Sequence, residues 1–131
     1  MAKALTLFLR RDHSMNPIQH QIGTIFIPVS NIEKARDWYC RVFDFPNDHE
    51  ILFNHLFVLP MTNGTDIVLD SKIFSHEAVY KTPACHFNTK DIKAAYNYLK
   101  AKDVNIITEI EHNHWFNFKD PDGNVLMVCQ C

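Results

Sequence analysis

The strongest constraint on this chain is an internal repetition. Phe26-Ile27-Pro28-Val29-Ser30-Asn31-Ile32-Glu33-Lys34-Ala35 lies over Phe87-Asn88-Thr89-Lys90-Asp91-Ile92-Lys93-Ala94-Ala95 at an offset of about sixty residues, with Phe26 one place from strict register. Each copy reads as a strand that ends in a polar cap and runs straight into a helix. A chain of 131 residues has room for one domain of ordinary size. Two such copies are therefore halves of a single domain.

The elements around the repeat follow from local chemistry. Ser30-x-x-Glu33 predicts a capping box, and Ile32, Ala35, Trp38, Tyr39 and Val42 recur as one helical stripe. Pro46 closes that helix, because residues before proline avoid helical backbone. In the second copy Thr89 or Asp91 can cap, and Ile92, Ala95, Tyr96 and Leu99 form the stripe. Three short strands are predicted after each helix: 50–54, 56–60 and 66–70 in the first half, 105–109, 114–118 and 124–129 in the second. Thr62-Asn63-Gly64 and Asp120-Pro121-Asp122-Gly123 supply turns. The expected fold class is α+β, two βαβββ modules over about 20–71 and 83–131, joined by a connector at 72–82.

Residues 1–19 are expected to form an arm or extension before the domain. Within it, Leu5, Leu7 and Leu9 alternate as an added edge strand would, suited to a subunit contact. The apolar start ends at Arg10-Arg11 without a small-residue cleavage site, which does not read as a leader.

Composition then excludes several functions. With 13 basic and 15 acidic residues, a net charge of −2 offers no footprint for nucleic acid or an anionic membrane. No apolar run approaches the ~20 residues of a membrane span. A 47% hydrophobic chain can fold without disulfides, so Cys40, Cys85, Cys129 and Cys131 are expected as reduced thiols and the location as cytoplasmic. Cys129-x-Cys131 could bind a soft metal, but terminal thiols are the favoured reading. The unusual count is eight histidines.

The strand Gly23-Thr24-Ile25-Phe26-Ile27-Pro28-Val29-Ser30-Asn31, the helix carrying Trp38-Tyr39, and the closing Phe118-Lys119-Asp120-Pro121-Asp122-Gly123-Asn124 resemble the glyoxalase/bleomycin-resistance/dioxygenase (vicinal oxygen chelate) superfamily. The resemblance spans roughly 20–130. It implies sheets that curl into an open barrel around a cavity, commonly shared by two subunits of a homodimer. It also implies metal-ligand positions, which fall here on Thr24, Leu69 (with Asp70 beside it), Ala84 and Met127. Threonine, leucine, alanine and methionine do not make a hard-cation site of histidine and carboxylate.

Strand alternation predicts the cavity lining. Thr24 and Phe26 are expected to face in, with Ile25, Ile27 and Val29 under a helix. Ala84, His86 and Asn88 face in, with Cys85 and Phe87 toward the helix layer. Phe116 and Phe118 are placed opposite Met127 and Val125, with His112 and His114 on the cavity side and Trp115 under a helix. The expected ligand-binding set is therefore Thr24, Phe26, Leu69, Ala84, His86, His114, Phe116, Phe118 and Met127. His86, His112 and His114 are the alternative metal or acid–base cluster, set against the plainer reading of a loop residue and two hydrogen-bonded wall residues. The other histidines read as surface, and Trp38 and Tyr39 as core.

No Ser-His-Asp order, phosphate-cradling glycine loop or activated thiol is apparent. The leading expectation is a metal-independent protein without a cofactor that binds a small, largely apolar organic molecule. The alternative is a divalent-metal enzyme, a glyoxalase-like lyase/isomerase or a ring-cleaving dioxygenase using a displaced histidine site. A purely structural or regulatory domain is a third class.

Overall fold

The computed structural model describes residues 15–131, so the strand expected through Leu5, Leu7 and Leu9 lies outside the described residues. The elements are β1 (Thr24–Pro28), α1 (Ile32–Phe43), β2 (Leu56–Leu59), β3 (Asp66–Asp70), β4 (His86–Asn88), α2 (Ile92–Ala101), β5 (Asn105–Ile106), β6 (Trp115–Lys119) and β7 (Val125–Cys129). They form an α+β fold with two open sheets, ordered β1-β3-β2 and β4-β7-β6-β5. In each, the first strand pairs in parallel with the last strand of its module, and the remaining pairs are antiparallel.

The repetition extends to hydrogen bonds, with caps and donors at an offset of sixty. Asn31 and Asp91 cap the two helices, each side chain accepting from the amide three residues on, Lys34 and Ala94, at 3.0 Å. Two residues before each cap, Val29 N–H donates to the carbonyl of Asp70 and Thr89 N–H to that of Cys129. Each cap contributes about 1 kcal/mol. The expected capping box at Ser30 does not form. The Ser30 amide instead donates to the Asp122 carboxylate across the module boundary, and the helix begins one residue later.

The strand expected at 50–54 is absent. Phe53 and Asn54 take φ of 52° and 64°, left-handed backbone that no strand accommodates, and only a Leu52–Leu56 bridge remains. The second module repeats this turn, with a Glu111–Trp115 bridge around His112 and Asn113 at φ of 51° and 58°. Strand β5 likewise shrinks from five expected residues to the two of Asn105–Ile106.

Both helices cover the same side of the sheets. Ile27, Val29, Phe57, Leu59 and Leu69 pack with Ile32, Ala35, Tyr39 and Val42 of α1, while Phe116, Phe118, Leu126 and Val128 pack with Ile92 and Leu99 of α2. Phe43 and Phe87 join the halves, stacked with centroids 4.6 Å apart. Burying each such side chain contributes about 1.5–3 kcal/mol.

A buried polar knot locks the modules together. Tyr39 Oη donates to Asp120 Oδ2 at 2.7 Å, and fully buried Asn124 donates through Nδ2 to both Asp120 Oδ2 and the Pro28 carbonyl. Asn124 Oδ1 accepts from the Tyr80 amide, and Tyr80 Oη donates to the Phe26 carbonyl. Desolvation raises the Asp120 pKa, only partly offset by the donors from Asn124 and Tyr39, and burial raises that of Tyr39 further. Because the folded pKa of Asp120 is raised, its contribution to stability is greatest at low pH and declines as pH rises through that value. Tyr39→Phe leaves a buried carboxylate one donor short. It is expected to lower unfolding free energy by about 1–3 kcal/mol in urea titration at pH 7, with a smaller loss at pH 4; an equal loss at both would contradict the charged hydrogen bond.

Candidate functional site

The face away from the helices carries the remaining chemistry. On the first sheet the register places Thr24, Phe26 and Pro28 beside Asp66, Val68 and Asp70, and Val58 beside Val68. On the second it places His86 beside Met127 and Met127 beside Asn117, then Asn88 beside Cys129 and Cys129 beside Trp115. Phe26, a large aromatic in the middle of its strand, is 49% exposed among the described residues.

Several expected lining residues lie elsewhere. Phe116 and Phe118 are fully buried on the helix side, where Phe116 meets Tyr96 edge-on at 5.2 Å and Phe118 lies 6.1 Å from Phe43. The ladder pairs them with Val128 and Leu126, not with Met127 and Val125. A register shift of one residue reverses every side chain, and it also moves Trp115 to the open side, where its indole donates to Glu111. Leu69 shares the helix-facing side with Ile27 and Phe57 and is fully buried, which leaves Asp70 on the open face. Ala84 precedes β4 and packs against the core.

The alternative histidine trio is not assembled. His112 sits in the left-handed turn, and His114 Nδ1 bonds the His112 carbonyl. His114 also alternates away from Trp115, and its carbonyl accepts from the Gln130 amide, so it and His86 occupy opposite faces. Thr24, Phe26, His86 and Met127 lie on the face away from the helices, and of these only His86 borders the hollow between β1 and β4.

A hollow of about 260 Å³ opens between β1 and β4, the facing edges of the two sheets. Ile25, Ile67, Cys85 and Phe87 form an apolar floor, Met61 a flexible wall, and Thr62, Asn63 and Thr65 line one side with His86 and Asn88 opposite. Of the residues expected to face in, His86 and Asn88 border it, whereas Ile25, Cys85 and Phe87, expected toward the helix layer, form its floor. Burial raises the pKa of the Cys85 thiol, so it stays protonated at neutral pH and is no nucleophile.

Two features escaped the sequence reading. His55 Nδ1 lies 2.7 Å from Asp70 Oδ1, which also accepts from the Lys72 amide. A surface reading of His55 missed that it precedes Leu56, the register partner of Asp70. Cys129 and Cys131 are disulfide-bonded with Cα atoms 5.3 Å apart, correcting the expectation of separate terminal thiols; Cys40 and Cys85 are free. The tail is pinned because the Gln130 amide donates to His114 and its side chain accepts from the Ile92 amide at the start of α2.

A model of the Glyoxalase/Bleomycin resistance protein/Dioxygenase superfamily matches residues 21–128, and the chain belongs to that superfamily. Similar solved structures include TnmS3, an antibiotic binding protein from Streptomyces sp. CB03234, at 24% identity and TM-score 0.68, covering 87% of this chain and 97% of that one. A superfamily member from Sphaerobacter thermophilus DSM 20745 has 22% identity and TM-score 0.64, covering 85% and 97%. The trypanothione-dependent glyoxalase I of Leishmania major has 17% identity and TM-score 0.59, covering 85% and 86%. No curated protein sequence matches. Among the described residues no helix is long and apolar enough to cross a membrane.

Alkylation by iodoacetamide is expected to be slow at Cys85 at pH 7 and to rise only at a pH above that at which an exposed thiol reacts, because burial holds the Cys85 pKa above the ordinary thiol range. Rapid modification of Cys85 at pH 7, read by peptide mass, would overturn its assignment as an inert floor residue.

Proposed function

We propose that this superfamily member binds a small, largely apolar organic molecule in the hollow between its modules, without a metal at the family's ligand positions, as a cytoplasmic homodimer. The observation that carries the reading is the hollow itself: an apolar floor of Ile25, Ile67, Cys85 and Phe87 beneath a short polar rim. Pockets of this composition take small organic ligands and orient them with few polar contacts. Its volume suits a small ligand or one ring of a larger one. Phe26 and Met127, beside Thr24 and His86 on the open face, extend the contact surface. A second copy laid over that face would cover Phe26.

Three of the four family positions hold Thr24, Ala84 and Met127, which lack an imidazole or carboxylate; the fourth, Leu69, turns into the core. That donor set does not fit a hard divalent cation. The likeness to an antibiotic binding protein supports a sequestering role. One observation favours an enzyme instead, the His55–Asp70 pair, since a carboxylate-oriented imidazole is a potential general base.

A thermal-shift screen with aromatic and peptide-like compounds tests the binding reading. A ligand at about 100 times its Kd is expected to stabilise the fold by about 2.7 kcal/mol. Ile25→Trp, which fills the hollow, is expected to weaken binding at least tenfold, and Phe26→Ala less so. Absence of any stabilising compound, or undiminished binding by Ile25→Trp, would overturn it. For the enzyme reading, His55→Ala is expected to leave binding unchanged; turnover of a bound compound that this variant abolishes would favour catalysis.

A further inference from the structure

We infer that His86, Cys129 and Cys131 form a redox-gated site for a thiophilic cation, with Zn(II) the ion its donors fit. An imidazole nitrogen and the two sulfurs all lie within 4.8 Å of one another. Three independent features bring them together. Strands β4 and β7 are parallel neighbours, so His86 and Cys129 approach diagonally across the ladder. Cys129 and Cys131, two apart, project from the same side of the strand end. Gln130 holds the tail through its two hydrogen bonds on the opposite side.

The donor set selects the ion. One imidazole and two thiolates, with no carboxylate in the group, suit Zn(II) and reject Mg(II) or Ca(II). Zn–S bonds of about 2.3 Å in a tetrahedron set the sulfurs about 3.8 Å apart. Cα atoms separated by 5.3 Å permit that spacing once the disulfide opens. The fourth position is left to water.

The two states exclude each other, because a sulfur in a disulfide is not a thiolate. A dithiol reductant supplies two electrons. It breaks the Cys129–Cys131 bond and becomes a disulfide itself, while its two protons pass to the freed sulfurs. Zn(II) then binds and releases both thiol protons to solvent, with His86 entering as neutral imidazole. Exposed His86 and Cys131 give reductant and ion a way in, while buried Cys129 anchors the site. These ligands differ from the family positions, and the inference does not depend on the ligand-binding reading. His86 also borders the hollow, so the ion would sit at its rim.

The test uses the full chain, reduced with dithiothreitol, desalted without oxygen and titrated with Co(II) as a coloured stand-in. One equivalent is expected to bind with thiolate-to-cobalt charge-transfer absorption and the visible bands of tetrahedral Co(II), both bleached by one equivalent of Zn(II). Air-oxidised protein is expected to show neither. Cys131→Ser and His86→Ala are each expected to weaken binding at least tenfold, whereas Cys40→Ser and Cys85→Ser are not. No charge-transfer band in the reduced protein, or a band that survives Cys131→Ser, would overturn the site. Loss of the band in Cys85→Ser would do the same, by locating the ion elsewhere. None of these outcomes bears on stabilisation by organic compounds, so failure of the site is distinguishable from failure of the binding reading.

Discussion

The fold depends on the buried contact between Asn124, Asp120 and Tyr39. Neither module closes its own core, and the turn before β7 reaches across to clamp the first. Asn124 spends both side-chain ends on other segments, the Pro28 carbonyl and the Tyr80 amide, while Asp120 gathers Tyr39 and the backbone amides of Asp122 and Asn124. Buried polar groups are costly when unpaired, so a fully partnered knot tolerates little displacement of one module against the other. The hollow between β1 and β4 exists because this distance is held.

Holding the modules this way also decides which faces are used up. Each parallel pairing of first and last strand sends the helix over one side, and both helices take the same side. The opposite face is left with Phe26, Met127, His86 and the Cys129–Cys131 pair. Function in this superfamily resides in such grafted sites and not in the fold itself. Here an apolar hollow and a sulfur–imidazole cluster meet at His86.

Much of this was legible in the chain. The repeat, both helices, the turns at Gly64 and Gly123 and the superfamily came from local pattern, because caps, turns and helical stripes are properties of neighbouring residues. The departures have separate causes. On β6 the ladder sets Phe116 opposite Val128, one residue from the expected pairing with Met127, and that slip exchanges the faces of Phe116, Phe118 and Trp115. Left-handed backbone at Phe53 and Asn54 carries no glycine to announce it, so a strand was expected where a turn lies. The polar pairings were hidden for another reason. Asp70 with His55, and His86 with Cys129, are joined only by strand register.

The sequence by itself determined the superfamily, the two-module plan and the absence of histidine or carboxylate at Thr24, Ala84 and Met127. These depend on residue identity and short-range spacing. Only the tertiary structure decided that Phe116, Phe118 and Leu69 belong to the core, that the histidine trio never meets, and that His86 faces two cysteines. Those outcomes turn on a single residue of register and on which strand edges lie together. A chain's local pattern is nearly indifferent to both, while packing against two helices admits one solution.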